Sequence, residues 1–576
     1  MNTFQPFRDL RPKDYKKQIE KYRKVAPVDL EADSVFNLRE DQRTSITSGL
    51  EPYAGSWGRA QAAHLLRRTL FGLRKTDLDQ FSTMTMNDAV DAILQSSPIP
   101  APPINDYNSF ATEPDPDVNE GETWITAPYN NELEGLRIYS LKSWIIDQML
   151  NQEATIHQKL ALFWHNLLPT QMWGVFFAKT SYRYWKMLLD NSLGNYKDLI
   201  KKLTLDPCML IYLNGTRNNK DAPDENYGRE LQELFCIGKG TGSGYTEGDV
   251  QAAARVLTGW VVDGSSIYGE SEPISLFYEP WHDTTDKQFS SFYGDTLITG
   301  KSGSQGADEL DEMLTMFFDT NELGLYICRR IYNFFVYHSI DSAAEANVIV
   351  PLAQIFRDTN YDIAPVLNAL FKSTHFYDMA NIGAAIKNPV DHLIGLWRSL
   401  EIHTKGLAAE SIDEQLLRKV YMVWDIAERG MEIGDPPSVA GWKAYYQTPA
   451  FDKIWITSDS IQSRVARQDN LLQYGTIFGN LQLTEFSLID VVEEVSEVPL
   501  PRVVIAETAE LLLGLQLDES GIDNLESILS PVPNEWTLAW YDYIGDPEDV
   551  MKKEVVEARL RSTFQSMLQL GEFQLM

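Results

Sequence analysis

The segment DENYGRELQELFCIGKG, from Asp224 to Gly240, carries an acidic column on a helix-forming stretch. Asn226, Glu230 and Glu233 fall at i, i+4 and i+7, and so share one helical face. Carboxylates one turn apart can hold a divalent cation, or one can act as acid and its neighbour as base. The competing reading is a solvated face on which Arg229 pairs with Glu225 or Glu233 at i,i+4 spacing. Tyr227, Leu231 and Leu234 form a second stripe, one position round, which is the natural core face. Asp224 can cap the start of the helix, and Gly238 can end it near Cys236.

Three other places carry candidate chemistry. In LFWHNLL, His165 and Asn166 sit among large apolar residues. A polar pair in so apolar a helix is expected to be buried and to need partners, which an acidic helix can supply. With Glu230 and Glu233, His165 then makes a candidate divalent-metal set. The alternative is a core histidine bonded to a backbone carbonyl; His64 invites the same two readings. In FYEPWHDTTDKQF, His282 and Asp283 can transfer protons or ligate a metal and Lys287 can bind substrate, or the segment can form an ordinary Asp-Thr turn. Trp260, Trp281 and Trp442 lie beside loops, where an indole can stack on a flat ligand or close a core. Arg67 and Arg68 are expected to tie helices together through carboxylates rather than to grip an anion.

These residues must be positioned by helices. SWGRAQAAHLLRRTLFG, LRIYSLKSWIIDQML, TIHQKLALFWHNLL, IAPVLNALFKST and NPVDHLIGLWRSL all carry helical spacing. YTEGDVQAAARVLTGW opens with Thr246 and Asp249 spaced as a capping box. The expected fold is mainly α: a large multi-helix domain over 51–470 and a helical C-terminal part over 471–576. Residues 1–50 read as an N-terminal arm. A Pro- and acid-rich stretch over 97–128 predicts an exposed, poorly packed loop. Residues 261–306 break the helical pattern and predict an irregular insertion with a short strand pair.

A formal charge of −32 over 576 residues opposes binding to nucleic acid and to anionic membrane surfaces. Three isolated cysteines supply neither a CxxC pair nor a disulfide framework. There is no GxSxG elbow, P-loop, HExxH or GxGxxG, which disfavours nucleotide chemistry and simple serine hydrolysis. The basic N-terminus lacks an apolar run behind it, and no segment reads as a membrane span. As it stands the chain is expected to be cytoplasmic; a chain from which an export signal had been removed would read the same and be periplasmic or secreted.

AHLLRRTLFG, LFWHNLL, DENYGRELQELFCIGKG, YTEGDVQAAARVLTGW, HDTTDKQF, IKNPVDHLIGLWRSL and PPSVAGWKAYY occur in that order. Together, from about Trp57 to Met576, they resemble the bacterial family catalogued as domain of unknown function 1800. The resemblance implies a mostly helical fold. It also implies gene neighbourhood with a sulfatase-like family, domain of unknown function 1501, as a partner. Two positions depart from the family pattern. FWHNHF becomes FWHNLL, so Leu167 replaces a second histidine and a metal site needing both is altered. NENY becomes DENY, which keeps capping ability at Asp224 and adds charge.

The expectation is a polar site of His165, Glu230, Glu233, His282 and Asp283, with Asn166, Asn226, Arg229, Trp260, Lys287 and Trp442 around the substrate. It would serve a hydrolase or lyase, metal-assisted or not, on a polar, glycan-like substrate. The competing expectation is a non-catalytic accessory subunit that docks a partner protein.

Overall fold

The computed structural model describes residues 46–402, 412–442, 453–475, 477–478, 481–482 and 487–576. Most of the expected N-terminal arm, and the YYQ end of the aromatic turn after Trp442, lie outside them. The fold is mainly helical, and its few strands form three two-stranded antiparallel pairs among the described residues. No helix among the described residues is long and apolar enough to cross a membrane.

Two apolar clusters organise the molecule. One gathers the Arg59–Thr69 helix, residues 196–257 and the helices between Glu309 and Phe371. The other gathers the Glu134–Leu150 helix, residues 386–442 and the C-terminal helices from Leu488 onward. The His157–Leu167 helix runs between them: Phe163, Trp164 and Leu167 enter the first cluster, and Ala161 and Leu162 the second. A helix that faces apolar neighbours all round must be apolar all round. That is why LFWHNLL carries so few polar groups, and why its His165 has no route to water.

The Pro-rich stretch corrects an expectation. It is irregular but packed, with Tyr107 fully buried and Trp124 nearly so. Arg137, on the Glu134–Leu150 helix, explains this: its guanidinium donates to Asp115 (2.8 Å) and to the Tyr107 hydroxyl (3.2 Å), so the loop's acid is neutralised inside. The stretch 260–298 holds two short hairpins. β1 (Trp260–Val262) pairs with β2 (Ser275–Phe277), and β3 (Lys287–Gln288) with β4 (Leu297–Ile298).

Candidate functional site

The acidic segment begins at Asp224, whose side chain accepts from the Asn226 amide (2.9 Å) and caps the Glu225–Glu230 helix. From Leu231 to Cys236 the backbone continues as a π-helical turn, a feature frequent at functional sites. Gly238 then leaves the helix at φ +84, where any Cβ would strike the Tyr326 ring. Tyr227, Leu231 and Leu234 are buried as the core stripe. Gly228 lets the helix press on its neighbour Glu247–Val256, since a Cβ there would sit 3.1 Å from the Ala254 amide nitrogen. That neighbour opens with the Thr246–Asp249 capping box.

The three members of the column fare differently. Asn226 is exposed, whereas Glu230 and Glu233 are half-buried. Arg229 pairs with Glu225 (3.0 Å) and Glu247 (2.9 Å), away from the column. Glu233 is held by the Lys239 ammonium and the Tyr245 hydroxyl (3.3 Å). Glu230 has an Oε2 that is buried and has no hydrogen-bond partner among the described residues. Burial, then the neighbouring Glu233 charge, push its carboxyl up to about 7, against the opposing pull of Lys239 and Arg229. Glu230 is thus poised to exchange a proton near neutrality.

His165 is fully buried. Its Nδ1 lies 3.0 Å from the Tyr184 hydroxyl, which itself donates to the Leu168 carbonyl (2.6 Å). Tyr184 therefore accepts from Nδ1–H, and the ring's lone pair is on Nε2. No partner meets Nε2 among the described residues; the ring is walled by Trp185 and Trp442. Burial, then the Lys142 charge, push this imidazole down to about 3, so it is neutral across the physiological range. Its expected bond to an acidic helix is replaced by the bond to Tyr184.

Sequence reasoning missed the groups around Lys142, which is itself fully buried. Its ammonium pairs with Glu432 and, at 2.7 Å, with Asp435. Burial alone would lower it, but the two carboxylates outweigh that and raise it. With two acids sharing one ammonium, burial and Glu432 push Asp435 up to about 7. Tyr212 feels the charges of both Asp435 and Glu230, and His165 feels that of Lys142. Electrostatically, then, Glu230, Tyr212, Asp435, Lys142 and His165 form one sequence of neighbours. Lys142 stands in the apolar middle of a helix that also carries Arg137 and Asp147, so the sequence marks it less plainly than it marks His165.

The second expected centre is internal. His282 is buried, with Nδ1 2.9 Å from the Thr258 carbonyl and Nε2 3.1 Å from Glu309. Gly306 makes room for it: a Cβ there would meet the imidazole at 2.5 Å. Lys287 is also buried and donates to Glu309 (2.5 Å) and to the Asp283 carbonyl. These bonds, with that from the Lys301 amide, overcome burial and lower the Glu309 carboxyl. Asp283 accepts from Arg255 (2.8 Å) and Thr285 and is held well below the usual carboxylate range. His282 and Lys287 thus staple the 260–298 hairpins to the Glu309–Phe318 helix, Asp283 ties them to Arg255 of the Glu247–Val256 helix, and Lys287 has no free ammonium for a substrate.

Asn166 and Trp442 are corrected in the same way. The Asn166 side-chain oxygen accepts from the Trp442 amide (2.9 Å), and both residues are buried. Trp442 closes over His165. Trp260 is half-buried against Phe277 and lines a small enclosed cavity with Asp224, Asn218 and Tyr227. Arg67 donates to the Glu510 carbonyl and Arg68 to those of Val336 (2.7 Å) and Asn381 (3.2 Å), so backbone oxygens replace the expected carboxylates in these hydrogen bonds. His64 likewise meets the Phe376 carbonyl, at 3.0 Å. Among the described residues no group of three or more His, Cys, Asp or Glu side chains could hold a metal ion, so His165, Glu230 and Glu233 do not form one. Leu167, at the family's second histidine, is buried in the first apolar cluster.

Residues 64–575 match the profile of a family described as protein of unknown function (DUF1800). The chain belongs to this family. The match covers every element that carries Glu230, His165, Lys142 and Asp435. No curated protein and no solved structure matches the chain.

Proposed function

We propose that the chain is an acid–base enzyme of the hydrolase or lyase class, acting on a polar, glycan-like substrate, with Glu230 as the proton-exchanging group. One observation carries the reading: Glu230 is half-buried, has an unpartnered buried oxygen among the described residues, and titrates near 7 beside a second carboxylate. A group with a pKa near the working pH is the most effective general acid or base. Lys239 and Tyr245 hold Glu233 in place, so its charge acts steadily on Glu230. The neutral His165 and the Lys142–Asp435 pair lie along the same electrostatic sequence and would tune that proton rather than touch substrate. Turnover of an oligosaccharide panel by the wild-type chain and by Glu230→Gln tests this. The expected result is a pH profile with a limb near 7 in the wild type and loss of at least a hundredfold in the variant. Equal turnover by the two proteins, or no turnover of any substrate by the wild type, removes the reading.

A separate observation favours the accessory role. Leu538, Tyr541 and Ile544 are exposed along one side of the Glu535–Gly545 helix, and Val550 and Met551 at the start of the next. Such an apolar patch suits protein docking. The sulfatase-like family implied by gene neighbourhood is the partner to test, by co-purification with the wild type and with Leu538→Asp/Tyr541→Asp. Retention by both proteins, or by neither, removes this reading.

A further inference from the structure

The acidic column sinks as it runs toward its C-terminal end. Asn226, Glu230 and Glu233 share one helical face, so an uncovered face would expose all three alike. Instead Asn226 is exposed, Glu230 is half-buried and the Glu233 side chain is only 13% exposed. The groups that meet Glu233 at this lower end, Lys239 and Tyr245, both belong to the segment GKGTGSGY, residues 238–245. That segment leads back from the π-helical turn to the Glu247–Val256 helix.

The segment is built as a strap. Every second residue from 238 to 244 is glycine. A Cβ at Gly242 would strike the Glu322 carboxylate, and one at Gly244 would lie 2.9 Å from the Phe292 ring. The strap therefore lies flat on those neighbours with no side chain keyed between them. Glu322 itself is held by Arg329 (2.7 Å). The strap's own turn, from the Ser243 amide (3.0 Å) and hydroxyl (2.6 Å) to the Gly240 carbonyl, is internal and can travel with it. Gly238, at φ +84, bounds it on one side and the Thr246 cap on the other, so a change of backbone angle can be confined to its ends.

What fastens the strap converges on one carboxylate. The Lys239 ammonium and the Tyr245 hydroxyl (3.3 Å) both meet Glu233, and the Lys239 side chain is 48% exposed, so that ion pair is half in water and weak. Both groups also reach Glu230. Lys239 opposes the burial and the Glu233 charge that raise the Glu230 carboxyl. Burial, then Glu233, raise the Tyr245 phenol, and the Glu230 charge adds to this.

We propose that 238–245 is a lid over the acidic column, latched on Glu233, and that it lifts for Glu230 to meet a substrate. Lifting takes the Lys239 ammonium away from Glu230 and opens the lower column to water; closing returns the ammonium and shuts water out. The purpose of the lid rests on the reading of Glu230 as the proton-exchanging group, whereas the latch does not, and its test needs no substrate.

Hydrogen exchange of the full chain, read by mass spectrometry, follows the lid. Labelling of Glu230 by a water-soluble carbodiimide and an amine at pH 6 follows the column beneath it. Glu233→Gln removes the carboxylate of the latch; Tyr245→Phe removes one bond to it and keeps the Glu233 charge. The expected result is exchange across 239–245 at least tenfold faster in Glu233→Gln and at least threefold faster in Tyr245→Phe, with the Glu247–Val256 helix unchanged. Labelling of Glu230 in Tyr245→Phe is expected to rise at least threefold. Unchanged exchange across 239–245 in both variants overturns the latch. Faster exchange with unchanged labelling of Glu230 shows that the strap does not cover the column and overturns the lid. Equal acceleration in the Glu247–Val256 helix marks local unfolding and overturns it as well. Absence of oligosaccharide turnover beside the expected exchange and labelling removes the enzyme reading and leaves the latched strap standing.

Discussion

Glu230→Gln separates a poised acid from a solvated one without any substrate. The carboxyl is raised from an ordinary 4.5 to about 7 by burial and by Glu233. A raised pKa means that the folded state holds the proton more tightly than the unfolded chain. Below about pH 4.5 Glu230 is protonated in both states and costs nothing. Between about 4.5 and 7 the unfolded chain releases the proton first, and stability is lost as pH rises. At ~1.4 kcal/mol per pH unit the whole window amounts to ~3.5 kcal/mol. Glu230 is only half-buried, so solvent screening reduces this to ~1–2 kcal/mol. Gln keeps the shape but has no such titration. Urea melts of both proteins at pH 4.5, 6 and 8 are the assay, because the other acids cancel in the difference. The variant should gain ~1–2 kcal/mol on the wild type between the lowest and highest pH, and the gain should shrink in a Glu233→Gln background, where Glu230 loses its repelling neighbour. A difference that stays flat with pH would show that Glu230 is an ordinary carboxylate, and the acid–base role would go with it.

Three further outcomes are expected. Lys142→Met leaves Glu432 and Asp435 facing each other without their ammonium and should cost ~3–5 kcal/mol in a denaturant melt; adding Glu432→Gln and Asp435→Asn should recover much of that, and no recovery would mean that the lysine acts through packing alone. Asp115→Asn removes one of the two buried carboxylates that meet Arg137 and should lower the melting temperature by many degrees, as should excision of 97–128; an unchanged melt would show that the loop is not part of the core. His165 is pushed down to about 3 in the fold while the unfolded chain protonates near 6.5, so the wild type should lose stability as pH falls from 6.5 to 4.5. That loss, ~2–3 kcal/mol, should be missing from His165→Gln, and parallel pH profiles for the two proteins would refute it.

What could be read beforehand was local, and what could not was long-range. The Tyr227, Leu231, Leu234 stripe and the Thr246–Asp249 capping box follow from 3.6-residue spacing and from bonds that close within one turn. So does the burial of His165, since a polar residue on a helix with no polar face has nowhere else to go. Its partner did not follow, because partners are decided by which helix packs alongside. An acidic helix or a backbone carbonyl was expected, and Tyr184 on the Ala178–Asp190 helix is the group that meets Nδ1. The 97–128 stretch failed for the same reason. Prolines and acids argue for solvent only while each acid is counted alone. Arg137 is 22 residues from Asp115, and once the two meet, the charge that opposed burial becomes a reason for it. Lys142 and Asp435 are separated by far more chain. Electrostatic sites are built from such distant pairs. A lone charge in an apolar helix is therefore the useful sequence signal: it marks where the fold must bring a partner, although it does not name one. Lys142, in a helix that also carries Arg137 and Asp147, met that rule less plainly than His165 in LFWHNLL.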